Sequence, residues 1–157
     1  MTFNVGQVFQ GKYPPEAAIW CNNNNAYIKE VDGGYQIIGI PEPTLDEIKA
    51  KKWEEIKAER DKAEQSGCPY MGSVLDSDSL SVQRINTAVQ AAQVVGDKFE
   101  VDWTMQDNSV VHMTYVDVLG MPAALAIFSN QLHVKARLLR EQINSAESVE
   151  EVNAINW

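Results

Sequence analysis

The amino-acid sequence predicts an α+β fold: a small N-terminal β-hairpin module, a central polar helix, and a C-terminal α+β module with a hairpin and several helices. Three observations predict it. Residues 26–40 and 99–113 each carry two short apolar runs around a turn signal, as hairpins do. Residues 82–95 and 125–143 place apolar side chains every three or four positions, the spacing that lines one face of a helix. Residues 44–67 are mostly charged and are bracketed by Pro41 and Pro43 on one side and Gly67 and Pro69 on the other. The expected organisation is an N-terminal β-rich module over 1–43, a connecting helix over 44–67 and a C-terminal α+β domain over 68–157.

In the first module, Phe3, Val5, Val8 and Phe9 suggest a short opening strand. Pro14-Pro15 cannot lie inside a helix or a central strand, but suit the start of a helical turn through Glu16–Trp20. Asn22 to Asn25 tolerate left-handed backbone angles and mark a turn. Ala26–Val31 then forms a strand, Asp32-Gly33-Gly34 a tight turn and Tyr35–Ile40 the returning strand. So small a hairpin is marginal alone and needs something to pack on. Tyr13, Trp20 and Tyr27 either close a tiny core or form a docking patch.

In the connecting segment, Thr44-Leu45-Asp46-Glu47 has the spacing of a capping box. A thin apolar line of Leu45, Ile48, Trp53, Ile56 and Ala63 follows. A helix this polar either bridges two modules or lays its stripe against partner helices as a short oligomeric coiled coil. Trp53 is conspicuous, because a tryptophan on a polar helix calls for a partner or an intramolecular cover. Tyr13, Trp20, Tyr27, Trp53 and Ile56 are the candidate partner-binding residues.

In the last module, Tyr70–Leu75 reads as one short strand and the run Asp76-Ser77-Asp78-Ser79 offers helix N-caps. Val82, Ile85, Ala88, Val89, Ala92 and Val95 line a helix that ends at Gly96. Phe99, Val101, Trp103 and Met105 share one face of a strand, Gln106–Ser109 turns it, and Val110–Met113 returns. Thr114 and Asp117 can cap the next turn. Gly120 and Pro122 are expected to interrupt, with Pro122 in the first turn of a new long helix that buries Leu125, Phe128, Leu132, Ala136, Leu139 and Ile143. Ser148-Val149-Glu150-Glu151 has the capping-box spacing again, before Val152, Ile155 and Trp157.

Composition narrows the function. The 157 residues carry a net charge of −9, with 45% hydrophobic and 22% charged residues, as in an ordinary globular protein. The acidic balance argues against nucleic-acid or anionic-membrane partners, which need Lys and Arg clusters. No run approaches the roughly 20 apolar residues of a membrane span, and the N-terminus lacks the pattern of a secretory signal. Cys21 and Cys68 stand far apart without a CxxC, so buried thiols are expected rather than a disulfide framework or a zinc site.

Catalytic chemistry finds little support. His112 and His133 are the only histidines, and no HExxH, GxSxG, Walker or GxGxxG motif occurs. A calcium loop starting at Asp76 would need glycine and glutamate where Ser81 and Thr87 stand. The pairs Glu54-Glu55 and Glu150-Glu151 are adjacent and point apart on a helix. No enzyme activity, metal or cofactor is expected.

The segments "DSDS", "SVQRINTAVQAA", "FEVDWTMQDNSVVHMT" and "HVKARLLREQINSAESVEEVNAINW" occur in this order. With the leader "YPPEAAIWCNNNNAYIKEV" and the helix "PEPTLDEIKAKKWEEIKAERDKAE", the chain resembles the domain of unknown function of tail-fibre-associated proteins from tailed bacteriophages and prophages. The resemblance implies an assembly chaperone that binds a phage tail-fibre or tail protein in the host cytoplasm. Its alternative is a structural component of the fibre or tail tip, held in the virion tail as a dimer or trimer through the central helix. The matching segments are packing motifs, so no catalytic residues carry over.

Overall fold

The computed structural model describes residues 2–157. The chain is α+β and divides into two compact units, Met1–Thr44 and Leu45–Trp157. The boundary falls at the start of the polar helix, so that helix belongs to the second unit and is not a separate connector.

In the first unit, β1 (Val8–Gln10), β2 (Ala26–Val31) and β3 (Gly34–Gly39) form an antiparallel sheet in the order β1-β3-β2. A two-residue loop, Asp32-Gly33, joins β2 to β3, with Gly33 at φ +80°. Between β1 and β2 lies α1 (Pro15–Asn23). Pro14 stands at its N-cap and Pro15 in its first turn, where a missing N–H costs nothing. The asparagine run serves as helix end rather than pure turn. Asn22 and Asn23 finish α1, the Asn24 side chain donates to the Trp20 carbonyl (2.8 Å), and Asn25 takes φ +49°. The core lies between α1 and one sheet face. It holds Phe3, Ala17, Cys21, Ala26 and Ile37, with Phe9, Trp20 and Ile28 packed against them.

The second unit is organised around one long helix. Its elements are α2 (Leu45–Glu64), β4 (Cys68–Tyr70), β5 (Ser73–Leu75), α3 (Ser79–Val95), β6 (Glu100–Thr104), β7 (Val110–Thr114), α4 (Tyr115–Ser145) and α5 (Val149–Ala154). The expected single strand over Tyr70–Leu75 is instead a hairpin, β4 with β5. Met71 (φ +50°) and Gly72 (φ +76°) both adopt the left-handed angles that a type I′ turn needs. Asp78 caps α3, accepting from the N–H groups of Leu80 and Ser81 (2.9 and 3.1 Å). Ser77 plays another role. Its hydroxyl donates to the Glu64 carbonyl (2.6 Å) and accepts from the Gly67 N–H (2.9 Å), closing the C-terminus of α2.

The expected break at Gly120 and Pro122 does not occur. Helix α4 runs unbroken through both for 31 residues, about 46 Å at 1.5 Å per residue. Pro122 offers no N–H to the Val118 carbonyl one turn upstream. Beside that gap, the Tyr70 hydroxyl donates to the Asp117 carbonyl. Packing on several sides then holds the helix: α4 contacts α2, α3, α5, β4 and β7. Its start is secured by Asp117, whose carboxylate accepts from the Thr114 N–H (2.9 Å) and hydroxyl (2.6 Å). The main core gathers Cys68, Leu75, Ile85, Ala92, Met105, Met113, Val118 and Met121. A second cluster joins Ile56 of α2 to Ala136 and Ile143 of α4, with Trp53, Leu139, Ile155 and Trp157 packed around it.

Candidate functional site

The five candidate partner-binding residues separate into different environments. Ile56 is 2% exposed against Ala136 and Ile143, so the apolar line of α2 is at this point an intramolecular seam. That placement corrects the expectation of a partner-facing Ile56. Trp53 is half-buried in the same cluster, and the Arg140 guanidinium of α4 sits 5.1 Å from its ring centroid. The cover that a tryptophan on a polar helix requires comes from within the unit, and the aliphatic stem of the arginine contributes to it.

In the first unit, Trp20 is half-buried against the core. Tyr13 lies edge-on to Tyr35, with ring centroids 4.9 Å apart, and near Phe9 at 6.4 Å. Tyr27 is on the opposite side of the sheet. Cross-strand neighbours share a face, so the register puts Val8, Gln36 and Lys29 in one row and Ile38 and Tyr27 in the next. Ile40 extends that face, its N–H bonded to the Asn25 carbonyl at 2.8 Å. Val8, Tyr27 and Ile40 are 49%, 46% and 47% exposed. The sheet therefore has one apolar face packed on α1 and a second face, open to solvent, where Val8, Ile38, Tyr27 and Ile40 stand with Gln36 and Lys29. Exposed apolar side chains grouped on one face can serve as a protein contact site. Sequence pattern alone missed Val8, Ile38 and Ile40 as companions on this face, because only strand register reveals which side chains share a face with Tyr27.

Both histidines face carboxylates. On the exposed side of the β6–β7 hairpin, His112 Nδ1 lies 2.9 Å from Asp102 Oδ1 and Nε2 lies 3.7 Å from Glu100 Oε2. The hydrogen bond to Asp102 pushes the His112 pKa up, and the negative charges of Asp102, Glu100 and Asp117 add to it. His133 Nε2 is 3.7 Å from Glu64 Oε1, and the Ser129 hydroxyl donates to the same oxygen. Glu64 and Ser129 line a cavity of about 260 Å³ together with Ser77, Leu125 and Phe128. Ser129 and His133 both address the Glu64 carboxylate. Among the described residues, no three His, Cys, Asp or Glu side chains converge as a metal site. No helix is long and apolar enough to cross a membrane.

A family model described as a domain of unknown function, DUF4376, matches residues 47–156. The chain belongs to this family. The match covers nearly all of the second unit, while the sheet with the open apolar face precedes it. Neither the curated proteins nor the solved structures contain a match.

Proposed function

We propose that this member of the DUF4376 family works by binding another protein, as an assembly chaperone for a phage tail-fibre or tail protein in the host cytoplasm. The observation that carries the reading is the open face of the N-terminal sheet. Val8, Tyr27 and Ile40 expose apolar area there that a protein partner could cover. The class of partner rests on the resemblance of the leader, the polar helix and the C-terminal segments to tail-fibre-associated proteins. The alternative, a structural fibre or tail-tip component oligomerised through the central helix, needs the apolar line of α2 for other chains. Ile56 already spends that line inside the unit, which favours the chaperone.

The test is co-expression with a tail-fibre protein of a tailed phage or prophage. The wild-type chain is expected to raise the soluble yield of the fibre protein and to co-purify with it. A Tyr27→Ala, Ile40→Asp double variant is expected to fold normally and to lose both effects. Absence of a complex with the wild-type chain would refute the chaperone reading. A stable trimer retained in purified particles would favour the structural one.

A further inference from the structure

We propose a second docking site, in the C-terminal unit: the groove between α3 and the free edge of β6 accepts an extended segment of another protein, with basic and apolar residues alternating, as an added β-strand. The site is independent of the open face of the N-terminal sheet.

The backbone supplies the acceptor edge. Among the described residues, β6 pairs only with β7, so its other side is free over Glu100–Thr104 and is closed just beyond, where the Gln106 N–H donates to the Val74 carbonyl of β5 (2.9 Å). The Met105 N–H donates to the Ser109 carbonyl (2.8 Å), which makes that opposed pair a hydrogen-bonded one. Antiparallel ladders alternate, and the register runs Trp103↔Val111 and Asp102↔His112. Trp103 and Val101 therefore bond to β7, while Glu100, Asp102 and Thr104 direct their N–H and C=O groups to the free side. An edge of this kind is a template for strand addition.

The groove lies along that edge. Two adjoining cavities, of about 390 and about 470 Å³, share Arg84 and Val101 in their walls. The first reaches Asp102, Trp103 and Thr104 of β6, Ser81 of α3 and Asp76, and the second is walled by Leu80, Ala88 and Phe99. The floor is largely apolar, and the exposed Arg84 guanidinium on its wall offers donors to the carbonyls of an added strand.

Charge selects the occupant. The solvent face of β6 carries Glu100 and Asp102, whose side chains are 65% and 72% exposed. Side chains of an added strand alternate, one set toward the apolar floor and the other beside these carboxylates. Opposite charges across a strand pair stabilise and like charges oppose it. A second copy of β6 would set two acidic rows side by side, so self-pairing is disfavoured and a lysine- or arginine-bearing strand fits.

The probes are two synthetic nine-residue peptides, one alternating Val with Lys and one alternating Val with Glu, titrated into the full chain and followed by amide NMR. The Lys peptide is expected to shift and protect the Asp102 and Thr104 amides, with affinity falling as salt rises. The Glu peptide, and a Lys peptide N-methylated along one edge, are expected to bind at least tenfold more weakly. Thr104→Pro removes an outward N–H at an edge that tolerates proline. Ala91→Trp fills the groove from the exposed side of α3, should the proline variant fail to fold. Either folded variant is expected to lose at least tenfold in affinity. Unchanged β6 amides at millimolar Lys peptide, or equal binding of the N-methylated peptide, would overturn the proposal.

Discussion

Tyr70 and Gly120 are matched across the interface of β4 and α4. A Cβ built on Gly120 would lie 2.4 Å from the Tyr70 hydroxyl oxygen, the same hydroxyl that donates to the Asp117 carbonyl. Glycine costs a helix interior about 1 kcal/mol relative to alanine, and here that cost secures the approach of the tyrosine. Gly120→Ala is expected to destabilise the second unit by about 1–3 kcal/mol despite its better propensity, as overpacking does. Tyr70→Phe should cost about 1 kcal/mol. In the double variant the alanine meets no hydroxyl, so its penalty should shrink or reverse. Urea unfolding of the four proteins in a double-mutant cycle measures this, and simple additivity would contradict it.

Ile56 ties α2 to α4. Ile56→Ala should cost about 2–5 kcal/mol, the range for a large-to-small core change. It should leave the mass in solution unchanged, because the side chain is buried inside one chain. Thermal unfolding with light scattering checks both, and a drop in molecular mass in the variant would restore the helix as an oligomer seam.

Trp20 and Tyr27 separate core from surface in the first unit. Trp20→Ala should remove about 2 kcal/mol or more from that unit, less than the about 3–5 kcal/mol of a fully buried aromatic. Tyr27→Ala loses a cross-strand contact to Ile38 and should cost at most about 1 kcal/mol. Denaturation followed by amide NMR signals of β2 and β3 distinguishes the two. Equal losses would mean that Tyr27 is a core residue.

His112 gives the β6–β7 hairpin a pH dependence. Its folded pKa is raised, first by the hydrogen bond to Asp102. Such a group adds stability that is fully present below the unfolded value of about 6.5 and is lost as pH rises through the higher folded value. Asp78 and Asp117 act oppositely. Hydrogen bonds from Ser81 and from Thr114 lower their pKa values, so their contribution is present above the unfolded carboxylate range and disappears as pH falls through the folded values. His112→Gln should flatten the stability profile above about pH 6.5 and leave most of the acid limb in place, because the Asp78 and Asp117 shifts come first from their hydroxyl hydrogen bonds. Thermal midpoints across pH 3–9 provide the check.

Cys21 and Cys68 are both buried, and burial pushes the Cys68 thiol up. Neither should react with a disulfide reagent in the folded protein, and both should react once denatured. Rapid labelling of Cys68 in the native state would show that the β4–β5 hairpin opens.

Local pattern in the sequence was sufficient wherever chemistry acts over a few residues. The period-two runs at 26–40 and 99–113, a cap within Asp76–Ser79, the Thr114 cap, the Gly96 stop and the α+β class were legible because each depends on neighbours in the chain. Gly120 and Pro122 misled for the same reason. Their local preference is to end a helix, and only packing on β4, β7, α2 and α3, with Tyr70 seated on the glycine, carries α4 through them. The candidate surfaces also lay beyond local pattern. Tyr27, Trp53 and Ile56 look alike as apolar residues on polar elements, yet tertiary contacts bury Ile56, half-cover Trp53 and leave Tyr27 exposed on the same sheet face as Val8 and Ile40. Likewise, the alternation of β6 was visible in the sequence, but its unpaired edge and the groove beside α3 exist only because the sheet stops at two strands. Exposure belongs to the folded arrangement, since it depends on which element packs where.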